Sequence, residues 1–206
     1  MSSIKNVVFD LGGVIITLNR ECAVKRFEEI GLKSANELID PYEQRGFFLD
    51  VENGKIGVEE FCQQLTEHAG KEISKEQALY GWLGFVVEVP QYKLDYILEL
   101  RKKYKVYLLS NTNPFIQEWA RSSAFSSAGR PIGDYFDKMY ASYEVGITKP
   151  DPAIYEYMLN DLGMIPRETL FVDDGRLNIE AAHAFGIQTY QPENNEDWRH
   201  AIDRLL

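Results

Sequence analysis

Four short stretches of this 206-residue chain carry side chains that could do chemistry together. Asp10 ends the apolar run of VVFDLGGV, and two glycines follow it at once. A buried strand that closes on one carboxylate before an open turn presents a charge to whatever lies beyond. Ser110 and Asn111 end VYLLSN, where a hydroxyl and an amide can bond to phosphate oxygens without adding charge. Lys149, in GITKPDPAIY, stands just ahead of a proline-started helix, and its ammonium can neutralise a phosphoryl group beside a carboxylate. Asp173 and Asp174 end the apolar run of LFVDDGRLN. Two adjacent carboxylates beside a third repel unless a cation holds them, and hard oxygen ligands around a small cation point to Mg2+. Singly, these features read equally as strand-end turns, a solvated lysine and a helix cap. Their order, with acids at the first and last positions, makes them candidates for one site.

The elements that must position them alternate. After the first strand, KVYLLSN, KMYAS, TLFVDD and IQTYQ read as strands, and the segments before and between them carry apolar residues at helical spacing. Asp151 with Pro152 is a cap followed by proline at the first helical position, and Gly163 closes that helix. This alternation predicts a parallel sheet with helices on both faces, a three-layer Rossmann-like α/β core in which ligands bind beyond the carboxyl ends of the strands. About ninety residues separate the first strand from the second, far more than one crossover helix requires. Most of them are expected to form an inserted helical bundle, residues 17–88, lying as a cap over a core built from 1–16 and 89–206. YGWLGFVVEVP is expected to be a buried hinge between the two, and the small-residue segment 121–136 a loop.

Composition narrows the function. There are 32 acidic and 22 basic residues, a formal charge of -10, which disfavours nucleic acid and anionic membrane as partners. No apolar run approaches the roughly 18 residues of a membrane span. The N-terminal stretch lacks a secretory pattern, and Cys22 and Cys62 stand far apart with no Cys/His cluster, so a cytoplasmic protein without disulfides or zinc is expected. His68, His183 and His200 fit none of the four stretches. No glycine-rich nucleotide-binding spacing occurs.

FDLGGVI resembles the first motif of the haloacid dehalogenase-like hydrolase superfamily, LLSN its second, KPDPAIY its third and FVDDGRLNIEAA its fourth. The resemblance covers the whole chain, because that superfamily places a helical cap between its first and second motifs. FDLGGVI, SNT and ENGKIGVEEF look most like a group of small cytosolic sugar-phosphate phosphatases that includes α-glucose-1-phosphate phosphatase. The resemblance implies that Asp10 is a nucleophile that forms an aspartyl-phosphate, which water hydrolyses. It implies Mg2+ held by the Asp10 carboxylate, the Gly12 carbonyl and Asp174, with Asp173 alongside among the catalytic residues. Ser110, Asn111 and Lys149 are then the phosphoryl-binding groups, and Asn178 supports the acids from behind. The implied substrate is a small phosphorylated metabolite, a sugar phosphate first of all, and the implied enzyme a monomer or weak dimer. Alternatives are a 2-haloacid dehalogenase, whose carboxylate substrate Asp173 and Asp174 would repel, and a binding protein on a silenced fold.

One departure from the pattern bears on mechanism. Many phosphatases of this superfamily carry a second aspartate two positions after the nucleophile, as general acid and base; this chain has Gly12. General acid–base assistance supplies about 10²- to 10⁴-fold, so either the leaving group departs readily, as an anomeric phosphate does, or another residue substitutes. Asp50 and Glu52 are the candidates, read here as exposed acids of a loop between cap helices. Arg45, Phe47, Phe48, Glu52 and Lys55 of the same stretch are the expected substrate contacts from the cap.

Overall fold

The computed structural model describes residues 4–40 and 44–206. The chain begins with β1 (Asn6–Phe9) and β2 (Thr17–Leu18) and then runs through α1 (Arg20–Glu29), α2 (Ala35–Leu38), α3 (Phe47–Glu52), α4 (Val58–Ala69) and α5 (Lys75–Trp82). It returns through β3 (Val86–Glu88) to α6 (Gln91–Leu100), β4 (Lys105–Ser110), α7 (Pro114–Ala120), β5 (Lys138–Ala141) and α8 (Ser142–Val145). The last elements are α9 (Pro152–Leu162), β6 (Thr169–Val172), α10 (Arg176–Ala184), β7 (Gln188–Tyr190) and α11 (Arg199–Leu205). Residues 41–43, inside a stretch expected to be helical, lie outside the described residues.

Five strands form one sheet in the order β5-β4-β1-β6-β7, and every neighbouring pair is parallel. β1 occupies the middle, with Phe9 opposite Leu108 on one side and Val172 on the other. The pleat sends alternate residues to opposite faces. Val7, Phe9, Val106, Leu108, Leu170 and Val172 join one buried cluster with Leu94, Ile97 and Ile202 from α6 and α11. Val8, Tyr107, Leu109 and Phe171 join the other, with Ile154, Tyr155 and Met158 of α9 and Ala182 of α10. A strand covered on both faces must be apolar throughout, which is why VVF, VYLL and LFV read as unbroken runs.

The turn after Asp10 is held from below. Lys93 of α6 is fully buried, and its Nζ donates to the Val14 carbonyl at 2.7 Å; Trp198 Nε1, also buried, donates to the same oxygen at 2.8 Å. One carbonyl thus takes two donors, from segments distant from it in sequence.

The inserted helices have a core of their own. Phe27, Phe48, Phe61 and Trp82 pack ring against ring, with centroids between 4.9 and 5.8 Å, and Phe115 of α7 reaches into the same cluster. Such pairs add roughly 0.5–1.5 kcal/mol each beyond their burial. The two connections to the core pair as a short antiparallel ribbon, β2 with β3. Trp82 and Gly84 of the expected hinge are buried, whereas Tyr80 and Val87 face solvent.

Segment 121–136 differs from a plain loop. Phe125, Ile132 and Tyr135 are buried in the sheet's core, and Ser126 Oγ ties the segment to itself through Arg130 and the Tyr135 hydroxyl. Its small residues are the tight bends between anchors.

Candidate active site

Asp10, Ser110, Asn111, Lys149 and Asp174 all line one cleft at the carboxyl ends of β1, β4 and β6. Carboxylate oxygens of Asp10, Asp173 and Asp174 lie within 4.8 Å of one another. Each arrives there because its strand stops: β1 before Asp10, β6 before the aspartate pair.

Lys149 is the centre of the arrangement. Its Nζ donates to Asp173 Oδ2 at 2.6 Å and to the Leu109 carbonyl at 2.9 Å, and it pairs with Asp10 Oδ1 at 2.9 Å. An ammonium has three protons, so all are engaged. Burial opposes its charge, but the carboxylates of Asp10 and Asp173 outweigh that and hold Lys149 above the ordinary lysine range. Asn111 was expected to bind phosphoryl oxygens. It lines the cleft, and its amide also clamps the lysine backbone, with Nδ2 donating to the Lys149 carbonyl at 2.8 Å and Oδ1 accepting the Lys149 N–H at 2.7 Å. Among the described residues, Ser110 Oγ bonds only to the Asn111 carbonyl, at 3.3 Å, and remains a phosphate-binding candidate.

The two aspartates of the last motif differ. Asp173 is fully buried, and besides Lys149 it accepts from the Gly175 N–H at 2.8 Å and from Asn178 Nδ2 at 2.9 Å. Its oxygens are thus occupied by the protein, one of them by Asn178. Asp174 is half-buried and faces Gly13. A Cβ on Gly13 would come within 2.1 Å of Asp174 Oδ2, and Gly13 has φ +73°, a conformation that side chains avoid. The second glycine after Asp10 thus makes room for the second acid of the pair.

The charges do not balance. Burial, more than any neighbour, pushes Asp10 up to about 7, with Asp173 and Asp174 adding to the rise and Lys149 opposing it. Burial and Asp173 push Asp174 up to about 6. Three carboxylates face one ammonium, and the deficit of positive charge in an all-oxygen setting fits a hard divalent cation. Asp10 and Asp174 are the acids with oxygens left for it.

The cap contributes an acid that the sequence reading placed in an exposed loop. Glu52 is the last residue of α3, is only 9% exposed and lines the cleft with Asp10 and Gly12. Burial, with the Asp10 charge adding and Lys149 opposing, pushes it up to about 8. Asp50, on the same helix, points elsewhere and pairs with Lys55 at 3.4 Å. Of the other cap residues expected at the substrate, Phe47 and Phe48 are buried in the cap's core, and Arg45 and Lys55 are exposed and do not line the cleft. Gln44, Trp82 and Phe85 line it instead, with Leu18 and Val86 of the ribbon and Thr112 and Ile116 of the core. Among the described residues, Trp82 Nε1 and Thr112 Oγ1 have no hydrogen-bond partner. Nothing in the periodicity of YGWLGF or SNT marks those two as cleft residues.

Comparison with known proteins shows the family to which the chain belongs. The model of haloacid dehalogenase-like hydrolases matches residues 4–186. A D-ribitol-5-phosphate phosphatase of Bacteroides thetaiotaomicron is 51% identical over 203 residues, 98% of each chain. The structure of a predicted hydrolase of this kind from Porphyromonas gingivalis superposes with a TM-score of 0.95 at 46% identity, covering 99% of this chain and 98% of that one. A Bacteroides thetaiotaomicron enzyme solved with magnesium and inorganic phosphate gives 0.90 at 42% identity, covering 97% of this chain and 99% of that one.

Proposed function

Because the chain belongs to the haloacid dehalogenase-like hydrolase family, we propose that it is a magnesium-dependent phosphatase acting on a small polyol or sugar phosphate through an aspartyl-phosphate on Asp10. The observation that carries this reading is the meeting of Asp10, Asp173 and Asp174 around the buried Lys149 at the open end of the central strand. The relative named for D-ribitol 5-phosphate matches nearly the whole chain, which supports a substrate of that class. Leu18, Phe85 and Val86 beside Gln44 and Thr112 give the cleft apolar and hydrogen-bonding walls suited to a short hydroxylated chain.

Asp10 Oδ attacks phosphorus opposite the leaving oxygen, and the P–O bond to the alcohol breaks as the acyl phosphate forms. Lys149 orients the Asp10 carboxylate and favours its ionised form, and Asp173 holds Lys149 in place. Asn111 fixes the lysine backbone, and Ser110 offers its hydroxyl to a phosphoryl oxygen. Magnesium, held by Asp10, the Gly12 carbonyl and Asp174, would supply the positive charge that the carboxylates and the phosphoryl group lack. A dehalogenase would bring a carboxylate substrate to this acid-rich cleft, which the charges oppose. A silenced binding protein would have no use for an attacking carboxylate at the strand end.

The test is phosphate release from D-ribitol 5-phosphate and from a panel of phosphorylated sugars, nucleotides and amino acids with Mg2+ present. Release is expected from the unmodified chain, with loss on adding EDTA and in Asp10→Asn. Undiminished release by Asp10→Asn would remove Asp10 as nucleophile.

A further inference from the structure

A phosphatase that takes a primary alkyl phosphate must expel an alkoxide, and an alkoxide does not leave readily without a proton. The chain has none to offer from the position two residues after Asp10. That position is Gly12, and a Cβ there would lie 2.8 Å from Leu18 Cδ1, so the space of an aspartate is partly filled by leucine. The acid must come from elsewhere, and the cleft holds one that the steps above do not use.

We infer that Glu52, delivered by the cap, is the general acid and base of this site. Resting on the phosphatase reading, the inference assigns the group that handles the leaving alcohol. In the first step the alcohol oxygen departs from phosphorus with the P–O electron pair and takes the proton of the Glu52 carboxylic acid, leaving an alcohol and a glutamate. In the second step glutamate removes a proton from water as its oxygen bonds to phosphorus. The P–O bond to Asp10 breaks, the Asp10 carboxylate is restored, and Glu52 is again protonated as phosphate is released.

Three observations support this. Among the described residues, Glu52 is the one Asp or Glu that the inserted helices place in the cleft; Asp50 is paired with Lys55. Among the described residues no hydrogen bond or ion pair engages the Glu52 carboxylate, so its proton is not committed to a structural partner. Its backbone, in contrast, is fixed to the core. Ser142 Oγ, at the start of α8, donates to the Glu52 carbonyl at 2.5 Å and accepts the Thr112 N–H at 3.0 Å, tying the end of α3 to the strand-end loop after β4. Two residues on, Gly54 has φ +72°, and a Cβ there would stand 2.3 Å from the Tyr143 carbonyl oxygen. Only glycine permits so close an approach of the two backbones. The side chain that must reach the leaving oxygen is thus carried by a backbone anchored to the core at Glu52 itself and two residues beyond it.

The experiment compares kcat/KM on two substrates with Mg2+ saturating. For a two-step reaction through a covalent intermediate, this constant covers the events up to release of the alcohol and excludes the water step. Glu52→Gln is expected to lower kcat/KM for D-ribitol 5-phosphate by roughly 10²- to 10⁴-fold. For p-nitrophenyl phosphate, whose phenolate leaves without a proton, the loss is expected to be about tenfold or less. Equal losses on both substrates, or none on either, overturn the assignment. Should Glu52→Gln fail to fold, as read by its thermal midpoint, Glu52→Asp carries the same comparison, because the acid is retracted by one methylene. Turnover of p-nitrophenyl phosphate by the unmodified chain, and its loss in Asp10→Asn, test the phosphatase reading alone, so the two can fail separately.

Discussion

Gly13 shows how one residue can shape a site without contributing an atom to its chemistry. Its positive φ and its missing Cβ leave the space in which Asp174 Oδ2 sits, 2.1 Å from where a methyl would be. Gly13→Ala is therefore expected to turn the Asp174 carboxylate aside and weaken Mg2+ binding by about tenfold or more, measured by calorimetric titration. Unchanged affinity would mean that Asp174 is not a ligand. Asn111 is a case of the opposite kind: a polar residue at a strand end, expected as a substrate contact, whose amide clamps the backbone of Lys149. The sequence shows both residues at strand ends, yet it is silent on which atoms their neighbours occupy. Gly12 was legible as a departure, whereas the Leu18 side chain that stands beside it comes from a strand whose position depends on pairing with β3.

At the scale of elements, the alternating helices and apolar strands made the sheet readable, because a strand covered on both faces has no polar positions to hide. Proline at the start of α9 and glycine after it gave the ends of that helix directly. The cap was less legible. Its helices are short, and α3 consists of residues that read as an exposed loop, since FFLDVENGK mixes core aromatics with acids and a turn. The burial of Glu52 depends on Ser142 and Tyr143, ninety or so residues away in sequence, and no local pattern encodes it. The cap's stability rests on its rings. Phe48 is fully buried and touches Phe27, Phe61 and Trp82, so Phe48→Ala is expected to cost about 3–5 kcal/mol in denaturant unfolding. A cost under about 1 kcal/mol would mean that the aromatic cluster does not hold the bundle together.

For the molecule as a whole, the acid-rich cleft is a liability that depends on pH. Asp10, Asp174 and Glu52 are held at about 7, 6 and 8, all above their ordinary values. Between about pH 4 and 8 the folded chain therefore binds more protons than the unfolded one, and stability falls as pH rises. Lys149, raised above its ordinary range, contributes stability throughout that window. The metal-free protein is expected to melt at a lower temperature at pH 8 than at pH 5, with Mg2+ raising the midpoint more at pH 8, by differential scanning calorimetry. A midpoint in EDTA that rises across the same interval would show that these acids ionise without help. The molecule also has a dependence that no inventory of its reactive groups reveals. The indole of Trp198 props the Val14 carbonyl from beneath, together with Lys93. A chain cut after β7 would retain Asp10, Lys149, Asp173 and Asp174, yet the turn that carries the attacking carboxylate would have lost one of its two footings.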